Sequence, residues 1–255
     1  MAHPQQQKFV ELTEQYFIRK HKPYLKILEV GSYDINGSVR NLFNGCDYTG
    51  ADLDEGPGVD VVSSGHELAF PASTFDITIS CECFEHNPYW RETFLNMHRM
   101  TKEGGLVIIT VASKGRWEHG TKRTSPSYSP GTQAQGIDYY HNLTEKEFET
   151  AFGLHALFNR FKFFKMSTSK DLFFCGWKTG KTCFDGDLAG FSASVTEIRN
   201  MKVDIGISLW KHFKRAVMIL PVTVVYYLCP EPCFHNFQVR WINCLSRLKH
   251  FIIKK

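Results

Sequence analysis

The stretch Lys26-Ile-Leu-Glu-Val-Gly-Ser-Tyr-Asp-Ile-Asn-Gly37, followed by Tyr48-Thr-Gly-Ala-Asp-Leu53, constrains this chain most. An apolar run that ends at Gly31 reads as a buried strand with a sharp turn after it, and Asp52 closes a second run of the same kind. Glycine lets the backbone come close to a ligand, and an acid at the end of the next strand can bind a ribose diol. Gly31 and Asp52 are 21 positions apart, close to the roughly 20 residues of a nucleotide-binding βαβ unit. The two segments therefore predict two strand ends that grip one nucleoside.

Charge indicates which nucleoside. A dinucleotide fingerprint requires glycines where this chain has Tyr33 and Asn36, so that backbone N–H groups can reach a pyrophosphate. Asp34 would also set a carboxylate beside that anion. S-adenosylmethionine has no phosphate and carries an ammonium and a sulfonium, which suit the acids Glu29 and Asp34. The pattern favours a methyl donor over a hydride carrier.

From Ile27 to about Thr179 the chain resembles a class I S-adenosylmethionine-dependent methyltransferase of type 11. The landmarks, in order, are Leu28-Glu-Val-Gly31, Asn36-Gly-Ser38, Asp52-Leu-Asp54, Gly58-Val-Asp-Val-Val62, Phe75-Asp-Ile-Thr-Ile-Ser80, Glu85-His86, and Gly104-Gly105 before an apolar strand. The glycine-rich loop of that family is reduced here to Gly31 and Gly37. The resemblance implies an α/β fold: a Rossmann-like, doubly wound, mostly parallel seven-stranded sheet with an antiparallel last strand. It assigns Glu29 to the donor's ammonium, the backbone of Gly31 and Ser32 to its methionine part, and Asp52 to its ribose. Leu53 would pack beneath the adenine, Ser64, Gly65 and His66 match adenine-edge positions, and Cys81 follows the fourth strand into the cofactor site.

Along the chain, Phe9, Leu12, Tyr16 and Phe17 predict a leading helix on the sheet or over the cofactor mouth. Strands are expected at 25–30, 48–53, 59–62, 75–80 and 106–112, with 39–43 in the helix behind the first. Asn87-Pro88 reads as a helix cap and first turn, and Gly104-Gly105 as the stop of that helix. From Ser113 to His141 the composition turns to Gly, Ser, Pro, Thr and Lys without periodicity. Such a loop after the fifth strand should roof the crevice where open α/β sheets bind ligands. It brings His119 and, at its end, His141 as candidate bases for an acceptor's proton, with Tyr139 and Tyr140 beside them. Thr144 and Glu147 form a capping box, and 158–169 with 171–178 read as a closing antiparallel pair.

Glu82-Cys-Phe-Glu85-His86 resembles the E-x-x-E-H of small-RNA 2′-O-methyltransferases and some quinone O-methyltransferases, where such groups hold a divalent metal. The same Glu-His also braces loop and cofactor in type 11 enzymes without one, and no metal is assigned here.

The chain divides into an expected methyltransferase domain, 1–180, and a basic, partly apolar, helical C-terminal extension, 181–255. From residue 200 onward nine cations face only Asp204 and Glu231, although the whole chain is +4, so the body is mildly acidic. The tail then suits an anionic partner, a peripheral membrane or a protein. The apolar run Ala216 to Cys229 is too short to span a bilayer and contains Pro221. Eight cysteines without a disulfide or zinc framework, and an N-terminus without a secretory pattern, point to the cytoplasm. The expected activity is methyl transfer to an oxygen or nitrogen of a small-molecule or glycan-like acceptor. The alternatives are a metal-assisted RNA 2′-O-methyltransferase, with nucleic acid the weaker partner, and a non-catalytic adaptor of the same fold.

Overall fold

A computed structural model describes residues 3–35, 37–182, 184–199, 201, 221 and 224–253 of the chain. Seven strands form one sheet: β1 (Lys26–Val30), β2 (Asp47–Asp52), β3 (Val61–Val62), β4 (Phe75–Cys81), β5 (Thr101–Ala112), β6 (Phe158–Lys165) and β7 (Asp171–Lys178). Their order is β3-β2-β1-β4-β5-β7-β6. The first five pair in parallel, and β7 runs antiparallel to both β5 and β6. This is the expected Rossmann-like architecture. Chain order reverses beside β1, between β2 and β4, and that reversal opens a crevice at the strands' carboxyl ends.

The central strands β1, β4, β5 and β7 are buried along most of their length because both their faces are covered. On one face lie α1 (Pro4–Thr13), the turns that continue it to His21, and α6 (Leu188–Ile198). Phe9, Phe17 and Phe191 there meet Ile27, Ile108, Phe173 and Trp177. On the other face α2 (Trp90–Met100) and α4 (Glu145–Ala151) bring Trp90, Phe94, Met97 and Phe148 against Leu28, Val107, Ile109 and Phe174. The leading helix thus packs on the sheet. Phe184, Phe191, Val195 and Ile198 join the first cluster, so the core continues past the boundary expected near Gly180.

Three local expectations change. Behind β1 there is one 3₁₀ turn, Arg40–Phe43, in place of a helix. Gly45 at φ +85° ends it, and the Arg40 guanidinium instead ties the Tyr48 and Gly58 carbonyls and Asp60 together. The helix after Asn87-Pro88 starts only at Trp90, because the Asn87 side chain accepts the Tyr89 N–H and closes a turn first. Gly104-Gly105 does not stop that helix but lies within β5, which already pairs with β4 at Thr101. Gly104 has φ +70°, and a Cβ there would stand 2.2 Å from the Lys181 carbonyl oxygen. Glycine is needed for that crossing and not for a cap.

After β5 the chain forms a roof over the crevice that includes the turn Pro126–Tyr128 and α3 (Pro130–Ala134). A short α5 (Leu154–Leu157) leads into β6, and α7 (Glu231–Ile253) closes the chain against the roof. Lys211, Lys214, Arg215 and most of the apolar run from Ala216 lie outside the described residues. Among the described residues no helix is long and apolar enough to cross a membrane.

Candidate active site

The crevice at the ends of β1, β2 and β4 holds a cavity of about 890 Å³, open mouth included, lined among others by Gly31, Asp52, Leu53, Cys83, His119 and Gly131. Asp52 ends β2 at its floor. One carboxylate oxygen accepts the Tyr33 N–H at 3.0 Å and the other the Leu53 N–H at 2.7 Å. A carboxylate has about four lone-pair sites, so capacity for two hydroxyls remains. Burial raises the Asp52 pKa above its ordinary value, against the two backbone bonds that lower it.

Ser64, Gly65 and His66 line the same cavity. His66 stacks on Tyr89 with ring centroids 4.3 Å apart, and its Nδ1 is buried without a hydrogen-bond partner. A flat ring and an unused polar edge beside Leu53 offer what a heteroaromatic base requires. The roof comes down on the other side. A Cβ on Gly131 would lie 2.9 Å from the Asp52 carboxylate, and Gln135 donates to the Leu53 carbonyl at 3.2 Å.

At the end of β4 the backbone turns through Glu82, at φ +51°, a left-handed conformation that costs a non-glycine residue. The turn presents Glu82 to a knot of charges. Its carboxylate accepts from Gln6 of α1, and lies 3.5 Å from Arg116 and 3.8 Å from His119. Burial raises the Glu82 carboxyl, but Arg116, His3 and His119 outweigh it and hold it at about 2. Arg116 also pairs with buried Asp171 at 3.6 Å, which in turn bonds His3 at 2.7 Å.

Glu82, His119 and Tyr128 line both this cavity and a second one, about 1440 Å³ with its mouth, which Arg116, Arg123 and Gln238 also border. The roof loop thus separates two chambers that share a window. The His119 Nδ1 is 3.0 Å from the Trp117 carbonyl; as donor there, the ring keeps its Nε2 lone pair for the window. Burial lowers the His119 pKa, so the imidazole is neutral near pH 7.

Residues 29–109 match the sequence family described as a methyltransferase domain. No curated protein matches the chain. Among solved structures it is similar to the Burkholderia thailandensis 1,6-didemethyltoxoflavin-N1-methyltransferase with bound 1,6-didemethyltoxoflavin and S-adenosylhomocysteine, at 17% identity over 68% of this chain and 78% of that one, TM-score 0.45. It is also similar to a SAM-dependent methyltransferase from Methanosarcina mazei, at 14% identity over 64% and 97%, TM-score 0.44. A third is YcgJ from Bacillus subtilis, at 11% identity over 68% and 99%, TM-score 0.46.

The expected site residues separate into two groups. Gly31, Asp52, Leu53, Ser64, Gly65, His66 and His119 come together on the cavity. Glu29, Ser32, Cys81 and His141 do not line it. Strand alternation places Glu29 and Cys81 with Ile27 and Ile79, toward the α1 side. Glu29 is buried under the Gly31 turn and accepts the Tyr48 hydroxyl at 2.8 Å. The N–H groups of Gly31 and Ser32 both go to the Ala51 carbonyl, at 2.8 and 3.2 Å, so neither cradles a ligand in this conformation. His141 lies beyond the roof, its ring bonded to Glu147 at 2.6 Å.

Cys83, rather than Cys81, reaches the cavity, because the Glu82 turn breaks the alternation. Burial, then Asp52 and Glu85, push its thiol up to about 12. A Cβ on Gly31, at φ +85°, would fall 2.5 Å from the Cys83 Cβ, so the glycine is required by this close approach. Tyr33, Tyr89 and Tyr128 are further lining residues with no distinguishing signal in sequence.

Proposed function

We propose that this chain is a cytoplasmic S-adenosylmethionine-dependent methyltransferase that modifies an oxygen or nitrogen of a small-molecule or glycan-like acceptor. The observation that carries the reading is Asp52, a partly buried carboxylate with two oxygens fixed by backbone N–H groups on the floor of a cavity at the sheet's switch point. When bound, the cofactor supplies an electrophilic methyl group on a sulfonium. Asp52 would hold its ribose, and Leu53 with the 64–66 segment its base. Methyl transfer from the sulfonium is an in-line displacement, which needs orientation more than a protein nucleophile.

The second chamber is the acceptor's place in this reading, and His119 at the shared window is the group able to take an acceptor proton. Arg116 and Arg123 weigh against an RNA acceptor, since Glu82, Asp171 and Glu118 already engage their guanidinium groups. The adaptor reading has support of its own: the occupied N–H groups of Gly31 and Ser32, and Gly131 seated on Asp52.

Calorimetric titration with S-adenosylhomocysteine, beside NAD, separates the two. One-to-one micromolar binding of the homocysteine compound alone is the expected outcome. No binding to folded protein would sink the enzyme reading in favour of the adaptor.

A further inference from the structure

Glu85 follows the Glu82 turn and is fully buried, with 0% exposure, yet neither of its carboxylate oxygens has a hydrogen-bond partner. Native proteins rarely leave such a group unanswered, because an unpaired buried polar or charged atom is costly. Beside it lies His86, 5% exposed, whose Nδ1 is likewise buried and unpartnered. His119 of the roof loop meets His86 edge to face, with ring centroids 5.0 Å apart. One ligand atom from each of Glu85, His86 and His119 lies within 4.8 Å of the others.

We propose that Glu85, His86 and His119 form a binding site for a divalent transition-metal ion. Donors sharing an ion at bonds of about 2.1 Å stand roughly 3.4 Å apart in a tetrahedron and about 4.2 Å across an octahedron. The set therefore needs only a small closure of the roof. One carboxylate and two imidazoles suit Zn²⁺, Mn²⁺ or Fe²⁺ better than Mg²⁺, which prefers oxygen.

The surroundings are those of a ligand shell. The His119 Nδ1 is within hydrogen-bonding reach of the Trp117 carbonyl, at 3.0 Å. Backbone bonds of this type fix which ring nitrogen keeps its lone pair. Gly120, at φ +70°, keeps room at the ring: a Cβ would stand 2.7 Å from His86 Cε1 and 3.3 Å from Nδ1. Entry is open, because His86 and His119 line the cavity while Glu85 lies behind them.

Glu82, which the sequence pattern groups with this set, is not part of it. The neighbouring cluster of His3, Glu82 and Asp171 has comparable spacing, but the Arg116 guanidinium already serves its carboxylates. Of the two acidic clusters, only the Glu85 carboxylate lacks a cation.

The ion's presence is independent of the methyltransferase reading. Only its role rests on that reading, namely to fix an acceptor hydroxyl or amine at the window, in place of direct proton removal by His119.

The test is calorimetric titration of chelator-treated full-length protein with Zn²⁺ and with Mn²⁺, and visible spectroscopy with Co²⁺. The comparison includes Glu85→Gln, His119→Ala and, as a control, the exposed His155→Ala. One-to-one binding that weakens at least about tenfold in the first two and not in the third is expected. No one-to-one binding by the unaltered protein, or equal binding by all variants, would overturn the site. Glu85→Gln keeps the shape of the side chain; should it fail to fold by circular dichroism, His119→Ala decides. S-adenosylhomocysteine titration of the same samples keeps the two ideas apart: nucleoside binding without metal binding sinks this site alone, and metal binding without nucleoside binding sustains it while sinking the enzyme reading.

Discussion

Asp52 is expected to show its role in the pH dependence of binding. Its folded pKa is raised, chiefly by burial, and only the ionised form accepts two hydroxyls without presenting a donor of its own. S-adenosylhomocysteine affinity should therefore be flat at neutral pH and fall as pH drops through that raised value, earlier than for an ordinary aspartate. Asp52→Ala should cost roughly tenfold or more, the worth of a hydrogen bond to a charged group, with an unchanged circular dichroism spectrum. Unaltered affinity in calorimetry would remove Asp52 from the site. Residue identity was legible here because an acid 21 positions after a strand-ending glycine is a spaced pair. Cys83 was not legible, because its reach into the cavity depends on the left-handed turn at Glu82, which no residue type announces.

At the scale of elements, His141 belongs to the start of α4. Thr144 caps that helix in a reciprocal box with Glu147, and the outer oxygen of Glu147 meets His141. The hydrogen bond that His141 donates to Glu147 raises the His141 pKa; for Glu147, burial acts upward but His141 and Thr144 prevail and lower it. The histidine's contribution is then complete below about pH 6.5 and is lost as pH rises through its raised folded value. The glutamate's contribution is present above about pH 4.5 and is lost as pH falls. The side chains are 36% and 33% exposed, so solvent screening limits the pair to at most about 1 kcal/mol. Urea unfolding of His141→Ala should show that small loss at pH 5.5 and less at pH 8.5, with nucleoside binding unchanged. A large loss of affinity would return His141 to the site.

The same scale contains the latch between α7 and the roof. Gln238, 1% exposed, accepts the Glu118 N–H at 2.9 Å and donates to the Glu118 carbonyl at 3.2 Å, while Asn236 accepts from Arg123. Gln238→Ala leaves two buried backbone groups without partners, each costing about 1–3 kcal/mol. Faster amide exchange across 116–124 and faster nucleoside release are expected; exchange confined to α7 itself would show that the roof stands without it.

Among the described residues neither apolar core cluster contains one beyond Ile198, whereas Phe234, His235 and Gln238 of α7 are buried and Gln238 is bonded to the roof. A chain ending at 223 should therefore unfold cooperatively as a complete sheet protein yet bind nucleoside more weakly, because its roof is unlatched. Insoluble protein would place the tail in the core. The sequence by itself determined the layered α/β sheet, since strands buried on both faces must be apolar runs and helices between them must carry apolar stripes. It also determined the corner of the cavity where Gly31 and Asp52 meet, since the two are spaced by the length of one βαβ unit. Only the tertiary structure decided that Glu29 and His141 turn away from the cavity, that Cys83 enters it, and that Glu85, His86 and His119 converge. Those placements depend on strand parity, a left-handed turn, and a loop folded back by a distant helix, and contacts between residues far apart in sequence leave no local pattern to read.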